Sequence, residues 1–132
     1  MPAPRSPRIV LGQSDFDSLS GLASEASGRV PAAELLLSEL DRARIVADKA
    51  VPADAVRMGS SIRFRSGDGG ERQVELVYPG KADIAQNRIS ILTPIGASLI
   101  GLTAGQTISW TAPDGRPHSL TVISVGQPAD AI

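Results

Sequence analysis

The spacing of apolar positions changes near residue 52, and this change divides the chain into two kinds of predicted structure. Before it, apolar side chains recur at steps of three and four residues, which is the repeat of an amphipathic helix. These positions are Phe16, Leu19, Leu22, Ala23 and Ala26 in a first segment, and Leu36, Leu37, Leu40, Ala43, Val46 and Ala47 in a second. The break between the segments contains Gly28 and Pro31, and a proline suits the first turn of a helix.

These features predict an antiparallel helical hairpin. The first helix begins at Ser14, which acts as its cap, and the second runs from Pro31 to Ala50, with Asp41 and Arg44 as an i,i+3 ion pair. Arms of roughly 12 and 17 residues reach about 18 and 25 Å. The predicted organisation is an extended segment at 1–13, a hairpin or short coiled coil at 14–51, a second domain at 52–126 and a tail at 127–132.

Beyond residue 52 the apolar positions alternate, as in half-buried strands. Val56, Met58, Ile62 and Phe64 form one inward face, and Val74, Leu76 and Tyr78 form the next, across a glycine-rich turn at 66–70. A strand at 88–92 follows, then a short helix capped by Thr93 with Pro94 in its first turn. The runs 106–112 and 119–125 flank the turn signal Asp114-Gly115. We predict an α+β fold with a bent antiparallel sheet of about five strands.

Composition narrows the possible functions. The chain has four aromatic residues and a net charge of −1, which disfavours strong independent nucleic acid binding. It has no cysteine and one histidine, His118, so we expect no metal and no other cofactor. His118 is either a surface residue or a general base, but no nucleophile elbow accompanies it, and we expect no enzyme. No apolar stretch approaches the ~20 residues of a membrane span, so we expect a soluble cytoplasmic protein without membrane contact.

Three stretches carry a family resemblance: SSIRFRSGDG from residue 60, VELVYPGKAD from residue 74 and ISILTPIGASLIGLTAGQTISW from residue 89. They resemble the C-terminal domain shared by the GreA/GreB transcript-cleavage factors and the Rnk family, the regulators of nucleoside diphosphate kinase. Leu76–Pro79 and Leu40–Ala43 resemble the Rnk family more closely. The resemblance implies an FKBP-like domain that docks on RNA polymerase at the rim of its secondary channel, with the helical hairpin pointing inward.

In the cleavage factors, acidic residues at the hairpin tip help to hold a catalytic metal in the polymerase. Here the arms are short and the bend presents Ser27-Gly28-Arg29-Val30 in place of a pair of carboxylates. We therefore expect a polymerase-binding regulator of elongation that does not stimulate transcript cleavage and competes with other channel-binding factors. The family name also implies an influence on nucleoside diphosphate kinase, either direct or through transcription.

Two other functions remain as alternatives. An FKBP-like fold suggests a prolyl isomerase, although Phe64, Tyr78 and Trp110 are few rings to line a proline pocket. A plain protein-interaction or dimerisation module is the other alternative, and it is separated from the first expectation by whether the protein captures polymerase.

The candidate partner-binding residues belong to three groups. Asp83 and Ile84 lie in an irregular loop, and loops on a rigid scaffold often carry recognition. Pro94, Ile95 and Gly96 begin the short helix, where capping and core packing are the alternative roles. Arg63 and Arg65 share a strand face with Arg57, and arginine forks suit an acidic partner, with a solvated sheet face as the alternative.

Overall fold

The structure, a computed structural model, describes residues 8–111 and 115–127. Among them are three α-helices and seven β-strands, with single 3₁₀ turns between some of them. The helices are α1 (Gln13–Ala26), α2 (Pro31–Arg42) and α3 (Pro94–Leu99). The strands are β1 (Val10–Gly12), β2 (Arg44–Val46), β3 (Ser61–Ser66), β4 (Glu71–Val77), β5 (Arg88–Ser90), β6 (Thr107–Thr111) and β7 (Pro117–Gly126). Asp114 and the Trp110 side chain lie outside the described residues.

The helical hairpin is present, but its second arm is shorter than the sequence predicts. The prediction that α2 continues to Ala50 is wrong: α2 ends at Arg42, because Ala43 is extended and β2 pairs in parallel with β1. The Arg44 amide donates to the Ile9 carbonyl at 2.9 Å. The arms therefore have 14 and 12 residues, about 21 and 18 Å long.

Two local predictions in the hairpin are also wrong. Ser14 does not cap α1, because the helix begins after Gly12 and has no side-chain cap. The hydroxyl and the amide of Ser14 both donate to the Asp48 carboxylate instead. The ion pair near the end of α2 joins Arg42 to Glu39, because the chain has left the helix before Arg44.

The α+β class is confirmed, with a five-stranded sheet in the order β5-β4-β3-β7-β6. The pairings β3–β4, β3–β7 and β6–β7 are antiparallel, whereas β5 pairs with β4 in parallel, so the expected purely antiparallel sheet is corrected at this edge. β3 begins only at Ser61, so Val56 and Met58 precede the strand. Tyr78 follows the end of β4 and is 37% exposed, contrary to the expected inward position.

One hydrophobic core joins the hairpin to the sheet. It includes Leu19 and Ala23 of α1, Leu36 and Leu40 of α2, and Ile62, Phe64, Leu76, Leu99 and Val122 from the sheet and α3. Helix α2 packs directly against α3. Because both hairpin arms bury their apolar stripe in this shared core, the hairpin base is fixed to the sheet.

The short helix α3 follows the prediction closely. Thr93 Oγ1 accepts from the Gly96 amide at 3.1 Å and donates to the Ser90 carbonyl at 2.7 Å, and Pro94 occupies the first turn. Gly101 follows the helix with φ of +80°. A Cβ at Gly96 would lie 2.2 Å from the Ser90 carbonyl oxygen, so α3 approaches β5 at a distance that only glycine allows.

We predict that Gly96→Ala destabilises the protein by about 2–3 kcal/mol, because the backbone oxygen it meets cannot rotate away. Gly21→Ala is the matched control, since Gly21 lies in α1 with no atom within 4 Å of an added Cβ. It should stabilise the protein by roughly 0.5–1 kcal/mol. Urea denaturation of both variants measures the two effects, and equal shifts would contradict the close packing of α3 on β5.

Candidate partner-binding surface

The loop before β5 holds an aliphatic side chain out to solvent. Asp83 and Arg88 exchange two backbone hydrogen bonds of 3.0 and 2.9 Å, which close the loop. The Asp83 carboxylate accepts from the Ala85 amide at 3.1 Å and caps a single 3₁₀ turn. Asn87 closes the other side with φ of +58°. Ile84 lies within this clamped turn and is 90% exposed, so a large apolar side chain is presented on a fixed backbone.

The start of α3 is separated from this loop only by β5 and the turn that follows it. Pro94 is exposed, Ile95 is half-buried against the core, and Gly96 is buried. Gly96 thus packs against β5 and has no side chain to offer a partner. The three residues do not form one exposed patch; the accessible part of this group is Pro94 with one side of Ile95.

The two arginines on β3 face solvent and are already engaged. Arg65 forms an ion pair with Glu71 at 2.8 Å, and Arg63 lies 3.9 Å from the same carboxylate. The Arg65 hydrogen bond holds the pKa of Glu71 below its usual value. Arg57 is not on the strand face, because β3 begins at Ser61. An acidic partner at this face would have to compete with Glu71 for both guanidinium groups.

The tip of the hairpin carries a cation. Arg29 follows Gly28, which has φ of +85°, and its guanidinium donates to the Glu25 carbonyl at 2.8 Å. Across the bend, the Ser27 hydroxyl donates to Glu34 at 2.5 Å. The two carboxylates near the bend therefore belong to different arms, and one of them is held by a serine. In residues 8–111 and 115–127 there is no cluster of three His, Cys, Asp or Glu side chains that could hold a metal ion.

A polar contact set that the sequence did not reveal joins α1 to the sheet domain. Asp15 accepts a hydrogen bond from the Met58 amide at 3.1 Å, and the neighbouring Ser14 donates to Asp48 from both its amide and its hydroxyl. Burial raises the pKa of Asp15, while the hydrogen bonds from Ser14 lower the pKa of Asp48. Ser14 and Asp48 are 34 residues apart in sequence, and Asp15 and Met58 are 43 residues apart, so no local pattern could have identified these contacts.

The aromatic rings do not gather around a cavity in the described part of the chain. Phe64 is 1% exposed in the core, whereas Tyr78 follows the end of β4 and is 37% exposed. Phe16 lies on the hairpin, and the Trp110 side chain is outside the described residues. Among the described residues, no helix is both long and apolar enough to cross a membrane.

Comparison with known proteins assigns the family. Residues 51–127 match the family described as "Transcription elongation factor, GreA/GreB, C-term", and residues 7–46 match "Rnk N-terminus". The Regulator of nucleoside diphosphate kinase from Escherichia coli is 35% identical over 90% of this chain and 89% of its own length. A Transcription elongation factor GreA from Clostridium botulinum is 34% identical over 77% of this chain and 62% of its own.

A solved structure agrees with this assignment. The prokaryotic transcription elongation factor GreA/GreB from Nitrosomonas europaea has a TM-score of 0.71 and 33% identity, and the match covers 92% of this chain and 99% of that one. The chain therefore belongs to the family of regulators of nucleoside diphosphate kinase, within the group that shares the GreA/GreB C-terminal domain. The names of these relatives are those of regulators and elongation factors.

The contact of Asp15 with Met58 generates a prediction. We predict that Asp15→Ala lowers the free energy of unfolding by about 1 kcal/mol, because the Met58 amide loses its acceptor. Asp15→Asn keeps an acceptor oxygen without the buried charge. Because the folded-state pKa of Asp15 is raised, its favourable contribution is complete below the unfolded-state pKa and is lost as the pH rises through the folded-state pKa.

Asp15→Asn should therefore gain stability relative to the native chain as the pH rises from 4 to 7, as measured by urea denaturation at each pH. A difference that stays constant over this range would contradict a raised pKa at Asp15.

Proposed function

We propose that this protein is a regulator of transcription elongation that binds RNA polymerase at the rim of its secondary channel and does not stimulate transcript cleavage. The observation that carries the proposal is a sheet domain of the GreA/GreB type joined to a hairpin with arms of only 14 and 12 residues. The protein acts by occupying the channel entrance, where it competes with other factors that enter the channel.

The tip chemistry supports the absence of cleavage activity. Two-metal catalysis requires carboxylate ligands placed within a fraction of an ångström of the metal. The bend presents the Arg29 guanidinium, and a positive charge repels a divalent cation at short range. Both the short reach and the separation of the two carboxylates near the bend, with the Arg29 guanidinium between them, therefore favour a factor that blocks the channel over one that delivers a metal ligand.

The docking residues of the sheet domain are Asp83, Ile84, Pro94 and Ile95. Ile84 is the anchor, because an exposed aliphatic side chain on a clamped turn loses little entropy when it enters a partner's pocket. Arg63 and Arg65 form a secondary contact for an acidic region of the partner, at the expense of their ion pairs with Glu71. The link to nucleoside diphosphate kinase then arises either through transcription or through direct contact.

The first test is a transcript-cleavage assay on backtracked elongation complexes with purified polymerase. The protein alone should leave the cleavage rate at its intrinsic value, and increasing amounts should suppress cleavage stimulated by a GreA or GreB factor. Robust stimulation by this protein would refute the proposal, and so would an undiminished response to the cleavage factor when this protein is in excess.

The docking residues are tested by direct polymerase binding. We predict that Ile84→Ala weakens binding about tenfold, the size expected for an apolar anchor at an interface. Asp83→Asn keeps the cap acceptor while removing the charge, so a smaller loss isolates the contribution of the charge. Ile123→Ala is the control, because Ile123 is also an exposed aliphatic residue, at 37%, but lies on β7. Equal effects of Ile84→Ala and Ile123→Ala would exclude the loop as the docking site.

A further inference from the structure

An open groove of about 390 Å³ runs along the helical hairpin, and its lining includes no residue of the Asp83–Arg88 loop or of α3. On one side lie Phe16, Ser20 and Ser24, which follow one another at four-residue steps along α1. On the other side lie Leu37 and Asp41, also four residues apart, on α2. Residues four apart share one face of a helix, so the groove is bounded by two ridges that follow the helix axes.

The floor of the groove is apolar and partly open to solvent. Leu40 lies at the bottom and belongs to the core, whereas Phe16, Leu37 and Ile45 are only partly buried and pack against the core from outside. Ala43 closes the base beside Ile45 on β2. The groove therefore offers aliphatic and aromatic surface that gains free energy when a partner removes it from water.

The charge that borders the groove is negative. Asp41 is the single ionisable residue among the described residues that line it, and it is exposed. It forms none of the ion pairs found within residues 8–111 and 115–127, because the neighbouring Arg42 pairs with Glu39. From Gln13 to Arg42 the chain has six acidic and two basic residues, a net charge of −4, while the whole chain carries −1. The acidic charge is thus concentrated on the hairpin.

The small residues of α1 determine the shape of the occupant. Ser20 and Ser24 form a low ridge, so the backbone of another helix can approach α1 closely while its large side chains fill the space above Leu40. A groove with apolar positions at helical spacing on both sides is the arrangement that receives an amphipathic helix. We propose that this groove is a docking site for an amphipathic helix of a partner protein that carries aliphatic side chains flanked by lysine or arginine.

This inference does not depend on the proposed polymerase contact, since it uses neither the sheet domain nor the tip. The groove is matched to its occupant by two independent features, the apolar floor and the exposed Asp41 carboxylate at its rim. Electrostatic complementarity of this kind selects basic over acidic partners and accelerates association.

The test uses two synthetic helical peptides of about 14 residues, the length of α1, each with leucines at helical spacing. One carries lysines beside the leucines and the other carries glutamates in their place. Fluorescence anisotropy with labelled peptide measures binding to the full chain. The lysine peptide should bind, and the glutamate peptide should bind at least tenfold more weakly. Equal affinity for the two peptides, or no binding of the lysine peptide, would overturn the proposal.

Three variants locate the binding. Ser24→Arg fills the groove and adds a positive charge, so it should abolish binding of the lysine peptide, whereas Ser38→Arg makes the same change at an exposed position of α2 that does not line the groove. Asp41→Asn should weaken binding about two- to fivefold, as expected for one exposed charge pair. Equal effects of Ser24→Arg and Ser38→Arg would overturn the assignment to the groove. Self-association that competes with the peptide and disappears in Ser24→Arg would identify a second copy as the occupant and overturn it as well.

Discussion

The structure depends on the position of β1. This three-residue strand lies between β2 on one side and the turn after α3 on the other: the Arg44 amide donates to Ile9, and the Val10 amide donates to the Gly101 carbonyl at 3.1 Å. Ile9 and Leu11 are each 1% exposed, and a Cβ at Gly101 would lie 2.8 Å from the Ile9 Cβ. The strand thus ties the end of α2 to the sheet domain, with backbone hydrogen bonds and apolar packing at the same place.

The pairing of β1 with β2 sets the length of the hairpin. Because β2 leaves α2 at Arg42 to pair with β1, residues that would have lengthened the second arm are held at its base. The hydrogen bond from the Met58 amide to the Asp15 carboxylate fixes the first arm to the sheet domain as well. The hairpin is therefore short and fixed at its base. One of its faces is buried against α3 and the sheet, and another forms the groove that Asp41 borders.

The sequence predicted the elements whose signals are local. The helical repeat around Leu19 and Leu36, the glycine-rich turn after β3 and the Thr93 cap all act within a few residues, and each is present. The helix prediction failed at β2. Ala43, Val46 and Ala47 continue the helical spacing, whereas the strand that pairs with β2, β1, lies 34 residues earlier. The parallel β4–β5 pairing and the ion pairs of Arg63 and Arg65 with Glu71 each join two different segments of the chain, so the repeat within one segment does not predict them.

The central claim is that the hairpin stops short of the polymerase active centre while the sheet domain binds the rim. The chain has no cysteine, so Ser27→Cys creates a unique attachment point at the tip for an iron chelate that cleaves nearby protein backbone. In complex with RNA polymerase, the account predicts cleavage along the outer part of the secondary channel and none at the loop that binds the catalytic metal. Cleavage at that metal-binding loop would contradict it.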